Sequence, residues 1–220
     1  MMLLLFIAEL SLLYLLSRRV IQTLYSLLHM LTRSRTIAIW IVSIVFFPGT
    51  VVHELAHLFT AEILGVHTGK LTLIPESLEG TEIKAGGVMI AETDPLRRTL
   101  IGLAPVYVGI AVLAALSYFI SQNITVINVI TIIVFYGMFS VSNSMFSSQE
   151  DMKGVIPFMI TVGIFAAAGY VAGLRVGLSG ELLTRIILIV ETLVRSLGVV
   201  LGVNLVVLLL TSGLLGILRK

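Results

Sequence analysis

The feature that most limits the fold of this chain is the length and number of its apolar runs. Six stretches of about 20 residues carry few charges, and a helix of that length crosses the roughly 30 Å hydrocarbon core of a bilayer. They cover residues 1–17, 36–64, 97–120, 124–146, 154–174 and 196–218. In 220 residues these runs leave no stretch for a separate soluble domain. We therefore predict an all-α, multi-pass integral membrane protein with about six transmembrane helices, located in the cell membrane.

The composition excludes several other classes of protein. Hydrophobic residues make up 58% of the chain and charged residues only 12%, whereas soluble domains carry about 25% charged residues. This excludes a cytosolic globular enzyme, a disordered chain and a nucleic-acid binder. The 14 Lys and Arg are spread along the chain, mostly at the ends of the apolar runs, where such residues anchor helices in a lipid bilayer. The chain has no cysteine, so a metal site would use His, Glu, Asp or Asn.

The order of the segments divides the chain into three parts. Residues 1–35 form an N-terminal span with a segment at 20–31 that either continues the helix or lies in the interface. Residues 36–156 form a core, in which short β-branched runs around a polar turn at 66–96 predict a β-hairpin. Residues 157–220 are accessory helices. Within them, charges at spacings of three to six residues predict an interfacial helix over 180–195, ahead of the last span.

The second apolar run contains the sequence His53-Glu54-Leu55-Ala56-His57, an H-E-x-x-H motif. Two histidines four residues apart share one face of a helix and can bind a single zinc ion. Glu54 lies beside them and can accept a proton from a zinc-bound water. Such residues are costly inside an apolar span and are retained mainly where they bind a metal, pair or line a watery cavity. The competing interpretation, two buried polar groups at a helix contact, leaves Glu54 without a role.

A catalytic zinc site needs a third protein ligand and one open position. The chain has two aspartates, Asp94 and Asp151. Counting the spans places the 147–153 segment on the same side of the membrane as the C-terminal half of the second span, so Asp151 is our candidate for the third ligand. Asp94 precedes a proline in a polar turn, which predicts a capping or turn residue.

At these residues the chain resembles the site-2 protease family of intramembrane zinc metalloproteases. The resemblance rests on HELAHLFTAEILGV at 53–66, the glycine pair of GGV at 86–88 and LIGLAPVYVG at 100–109. It also rests on Asn143, which stands eight residues before Asp151. It covers residues 40–156, roughly half of the chain.

The resemblance implies a fold and a set of roles. His53, His57 and Asp151 would bind zinc, and Glu54 would be the general base. Asn143 would hydrogen-bond either the substrate main chain or the tetrahedral oxyanion.

The hairpin would be re-entrant, and Gly86 and Gly87 would belong to the part that binds the substrate. The resemblance thus implies a zinc-dependent endopeptidase that cleaves the transmembrane segments of other membrane proteins. Any gating of substrates would come from a regulatory membrane partner or from the accessory helices.

Two alternatives stay open. Glu150 and Met152 flank Asp151 where the family usually has Leu and Gly, which favours a catalytically inactive relative that acts as a membrane helix-binding scaffold. A zinc peptidase of another H-E-x-x-H lineage would instead take its third ligand from a later helix, where Glu181 and Glu191 are the candidates.

Overall fold

The computed structural model describes residues 2–73, 76–77, 83–84, 86–123, 128–146, 155–173 and 180–218. Within these ranges the chain is mainly helical, as predicted, with four short strands between the second and third helices. The helices are α1 Met2–Thr32, α2 Arg35–Ile63, α3 Pro95–Asn123, α4 Val129–Ser144, α5 Val155–Val171 and α6 Gly180–Leu218. The strands are β1 Thr68–Thr72, β2 Glu76–Ser77, β3 Ile83–Lys84 and β4 Gly87–Ile90.

Three of the helices are long and apolar enough to cross a membrane. These stretches are Arg35–Ile63, Pro95–Ile120 and Ile187–Leu218, and they correspond to the second, third and sixth predicted spans. Helix α4 is also apolar but has only 16 residues in the described part of the chain.

The sequence left two possibilities open for residues 20–31, and the structure has the first of them: helix α1 continues through these residues without a break. One boundary differs from the sequence-based expectation, since α6 is one helix of 39 residues rather than an interfacial helix followed by a span. No proline interrupts either segment, so nothing forces the backbone to break. On α6 the Arg195 guanidinium donates to the Glu191 carboxylate at 2.6 Å, an i,i+4 pair that supports continuous helix at the predicted junction.

The predicted hairpin is present between α2 and α3. Strand β1 pairs antiparallel with β4, with Leu71 opposite Val88 and Thr72 opposite Gly87. Further along, β2 pairs with β3, with Glu76 opposite Lys84. The hairpin therefore begins and ends beside the C-terminal end of α2.

A glycine ends α2 and turns the chain into this hairpin. Gly65 has φ of 68°, a left-handed conformation that costs an L side chain roughly 1 kcal/mol or more. The Val66 N–H donates to the Ala61 carbonyl at 2.8 Å and the Gly65 N–H to the Glu62 carbonyl at 3.0 Å. This is a Schellman cap, completed by the apolar contact between Ala61 and Val66.

The helices pack around α4, which is buried over its C-terminal half. Helix α1 packs mainly against α6, and α2 packs against both α3 and α4. One apolar cluster joins α1, α3, α4 and α6; its fully buried members include Leu13, Leu113, Met138, Leu197 and Val200. The last helix therefore packs into the same core as the segment that carries the H-E-x-x-H motif.

Helices α2 and α4 approach most closely at Gly49. Pro48 interrupts the backbone hydrogen bonds of α2, and α4 supplies replacement partners. The Gly49 N–H donates to Ser140 Oγ at 2.8 Å. The Tyr136 hydroxyl donates to the Val45 carbonyl at 3.0 Å. A Cβ at residue 49 would overlap the Ser140 carbonyl and lie 2.5 Å from Ser144 Oγ. Gly49 stands one helical turn before His53, so this contact fixes α4 beside the histidine face.

Candidate metal centre

The H-E-x-x-H motif lies on the buried face of α2. His53, Glu54 and His57 are 4%, 6% and 5% exposed, although each carries a polar side chain. Burial of three such groups on one helical turn is costly unless they interact with one another or with a ligand. The motif is therefore the most concentrated polar site on this helix.

The two histidines converge through the nitrogens that a metal would use. His53 Nε2 and His57 Nε2 lie 3.2 Å apart, and the rings meet edge to face. Two nitrogens bound about 2.0–2.1 Å from a tetrahedral zinc would be separated by about 3.3–3.4 Å. The distance between the two nitrogens therefore matches that of two ligands of one zinc ion.

The other nitrogen of His57 is held by the backbone of α3. His57 Nδ1 lies 2.8 Å from the carbonyl oxygen of Ile101, which is itself buried. A carbonyl only accepts hydrogen bonds, so Nδ1 carries the proton in this contact. Outer contacts of this kind orient metal-binding histidines in known zinc sites.

The backbone just before β4 lies close to Glu54. A Cβ added at Gly86 would stand 2.9 Å from Glu54 Oε1 and 3.0 Å from the Thr72 carbonyl oxygen. Only a residue without a side chain allows the backbone to come so close. Gly87, the first residue of β4, pairs with Thr72. Of the two predicted substrate-binding glycines, Gly86 thus contacts the predicted general base.

Asn143 lies at the C-terminal end of α4, fully buried, and it contacts α6. Its Nδ2 donates to Asn204 Oδ1 at 2.6 Å and to the Phe139 carbonyl at 2.7 Å. Asn204, also fully buried, donates in turn to Ser142 Oγ at 3.1 Å. Among the described residues, no group donates to Asn143 Oδ1.

The structure gives a different outcome for each of the other candidate ligands. Asp151 lies outside the described residues. Asp94 caps α3, as predicted, accepting from the Leu96 and Arg97 N–H groups at 3.1 and 3.0 Å. Glu191 is paired with Arg195 on α6. Within the described ranges, no three His, Asp or Glu side chains form a cluster that could hold a metal ion, so the structure brings together two ligands of the predicted set.

Comparison with known proteins adds no assignment. No protein-family model, no curated protein and no solved structure matches this chain.

Proposed function

We propose that this chain is a zinc-dependent intramembrane endopeptidase of the site-2 protease type. It would cleave transmembrane segments of other membrane proteins. His53, His57 and Asp151 would hold the zinc ion, and Glu54 would act as the general base.

The observation that carries the proposal is the convergence of the two histidine Nε2 atoms at 3.2 Å in a buried position on an apolar helix. This separation equals that of two zinc ligands within about 0.2 Å, and without a metal the same two atoms lie at hydrogen-bond distance. Glu54 is buried beside the two histidines, where hydrolysis would require a general base.

The chemistry follows from the residues on the buried face of α2. Zinc, when bound, supplies a Lewis acid that lowers the pKa of an attacking water toward neutrality. Glu54 would take one proton from that water as it attacks the scissile carbonyl. The same carboxyl would then give the proton to the departing amide nitrogen, so that it returns to its starting state.

A helical substrate must unwind before its peptide bond can be reached, because the carbonyls of a helix are bonded within it. The β1–β4 pair offers a sheet edge to such an unwound segment, and its end lies against Glu54 at Gly86. Main-chain hydrogen bonds to this edge would hold the segment as an added strand. Gly87 and Asn143 are the further candidates for contacts with the substrate.

For membrane placement, we propose a multi-pass protein of the cell membrane in which α1, α4 and α5 also cross the bilayer. This gives six spans, three of which have the length and apolar character described above. The chain would contact lipid over most of its surface, in line with its many exposed large apolar side chains. A regulatory membrane partner would bring or withhold the substrate.

The proposal is tested by metal analysis together with a cleavage assay in liposomes. Purified wild-type protein should hold about one zinc per chain. Glu54→Gln should keep the zinc and slow the cleavage of single-span reporter proteins by about 10²–10⁴-fold, since it removes only the proton transfer. His53→Ala should lose the metal, and Asp151→Ala should weaken its binding.

Two results would contradict the proposal. If Glu54→Gln cleaves the reporters as fast as the wild type, the mechanism is wrong. If the wild type holds no zinc and His53→Ala changes nothing, the chain is a membrane scaffold. Zinc binding that survives Asp151→Ala but not Glu181→Ala or Glu191→Ala would assign the third ligand to α6.

A further inference from the structure

Pro105 lies inside α3 and is fully buried. A proline has no backbone N–H, so the carbonyl four residues earlier loses its normal partner within the helix, and the ring pushes that carbonyl outward. In α3 that carbonyl belongs to Ile101. A buried carbonyl without a hydrogen-bond partner is unfavourable, so the Ile101 carbonyl requires a donor from elsewhere.

The donor is a predicted metal ligand on the neighbouring helix. His57 Nδ1 lies 2.8 Å from the Ile101 oxygen, across the interface between α2 and α3. With the proton on Nδ1, a neutral imidazole has its lone pair on Nε2. That Nε2 is the atom that faces His53 Nε2 at 3.2 Å.

We propose that Pro105 is a positioning residue of the metal centre, which acts through the Ile101 carbonyl. By leaving that carbonyl unbonded within α3, it fixes the Nδ1–H tautomer of His57 and directs the Nε2 lone pair toward the site between the histidines. The consequence for zinc affinity rests on the proposed function, whereas the tautomer of His57 does not.

The chain offers a matched control for this effect. Pro95 is the first residue of α3, where a missing N–H removes no bond within the helix. Pro95→Ala therefore makes the same chemical change in the same helix without restoring a partner to any α3 carbonyl. Pro105→Ala, by contrast, supplies an N–H that competes with His57 for the Ile101 oxygen.

The first test needs no variant. In zinc-free wild-type protein reconstituted in liposomes and labelled with ¹⁵N-histidine, solid-state NMR should show His57 as a neutral ring with the proton on Nδ1. A ring that is protonated mainly on Nε2 would overturn the inference, whether or not the protein is a peptidase.

The second test measures zinc affinity by competition with a chelator. Pro105→Ala should bind zinc about 10–100-fold more weakly and show a mixture of His57 tautomers, while Pro95→Ala matches the wild type. If Pro105→Ala keeps both the wild-type tautomer and the wild-type affinity, the inference is wrong. If Pro105→Ala does not fold, the wild-type spectrum decides. A wild type that binds no zinc would overturn the proposed function, and the His57 tautomer would still test the role of Pro105.

Discussion

Asn143 on α4 and Asn204 on α6 form a direct hydrogen bond of 2.6 Å in the interior of the helix bundle. The orientation of both amides is set by backbone carbonyls, which only accept hydrogen bonds. Asn143 Nδ2 donates to the Phe139 carbonyl and Asn204 Nδ2 donates to the Val200 carbonyl. Asn204 must therefore offer its oxygen to Asn143, and Asn143 keeps its own oxygen as an acceptor. In the proposed peptidase, this orientation favours a substrate N–H over the oxyanion as the partner of Asn143.

The first prediction concerns the energy of this pair. Asn204→Ala should lower the free energy of unfolding, because it removes an interhelical hydrogen bond between two fully buried side chains. In a double-mutant cycle with Asn143→Ala, the coupling energy should be about 0.6 kcal/mol, the mean found for such bonds in membranes, and at most about 1.7 kcal/mol. Unfolding by titration with a denaturing detergent measures all four proteins. A coupling energy near zero would show that the two amides are independent.

Much of the helical fold could be predicted, because membrane helices are recognised by the length of their apolar runs and by the charges at the ends of those runs. The hairpin was also visible, since β-branched runs flank a polar turn. The continuity of α6 could not be predicted, because residues 180–195 have charges that are typical of a separate interfacial helix. The hydrogen bond between Asn143 and Asn204 could not be predicted either, because it depends on how α4 and α6 pack against each other.

The second prediction concerns the contact between α2 and α4. Gly49→Ala should destabilise the protein by about 1–3 kcal/mol, since the new methyl group would collide with the Ser140 backbone, which cannot move as a side chain can. Gly137→Ala on α4 is the control, because its Cβ would make an ordinary contact of 3.7 Å with Leu116. The same detergent titration measures both variants. Equal stabilities for the two variants would show that α2 and α4 are further apart than described.

The third prediction is a pH dependence outside the membrane-spanning segments. The Arg97 backbone N–H, the Arg97 guanidinium and the Leu96 N–H hold the pKa of the Asp94 carboxyl below its ordinary value of 3.8. A carboxyl whose pKa is lower in the folded state stabilises the protein above its unfolded pKa, and that contribution is lost as the pH falls through the folded value.

Asp94→Asn keeps a cap acceptor but removes the charge. The stability difference between the wild type and this variant should therefore be constant above about pH 5 and shrink below about pH 4. Thermal unfolding at a series of pH values measures it. A difference that grows as the pH falls would show that the pKa of Asp94 is raised instead.

The sequence predicts that the two histidines lie close together, but it does not predict what surrounds them. Spacing alone places His53 and His57 on one face of a helix. The sequence shows a proline four residues after Ile101, which indicates that the Ile101 carbonyl lacks a partner within its helix. Only the packing of α3 on α2 shows that His57 donates a hydrogen bond to this carbonyl. The approach of Gly86 to Glu54 depends on the return path of the hairpin, and a glycine alone does not reveal which neighbour requires it.

The fourth prediction tests this approach. Gly86→Ala would place a methyl group 2.9 Å from Glu54 Oε1, so either the carboxylate or the backbone before β4 must shift by a few tenths of an ångström. In the proposed peptidase a misplacement of the base by 1 Å would slow cleavage by roughly 10²-fold, so this smaller shift should slow cleavage by less than that. Zinc content should remain at the wild-type level, because the atoms nearest the new methyl group belong to Glu54 and Thr72 rather than to a histidine.

Gly202→Ala on α6 is the matched control, since its Cβ would meet no atom within 4 Å. This variant should cleave reporters at the wild-type rate, and it should be slightly more stable because alanine favours helix over glycine by about 1 kcal/mol. Cleavage rate and zinc content are measured on both variants under the same conditions. If Gly86→Ala cleaves as fast as Gly202→Ala, the hairpin does not touch Glu54 in the working protein, and the sheet edge is not the place where the substrate meets the base.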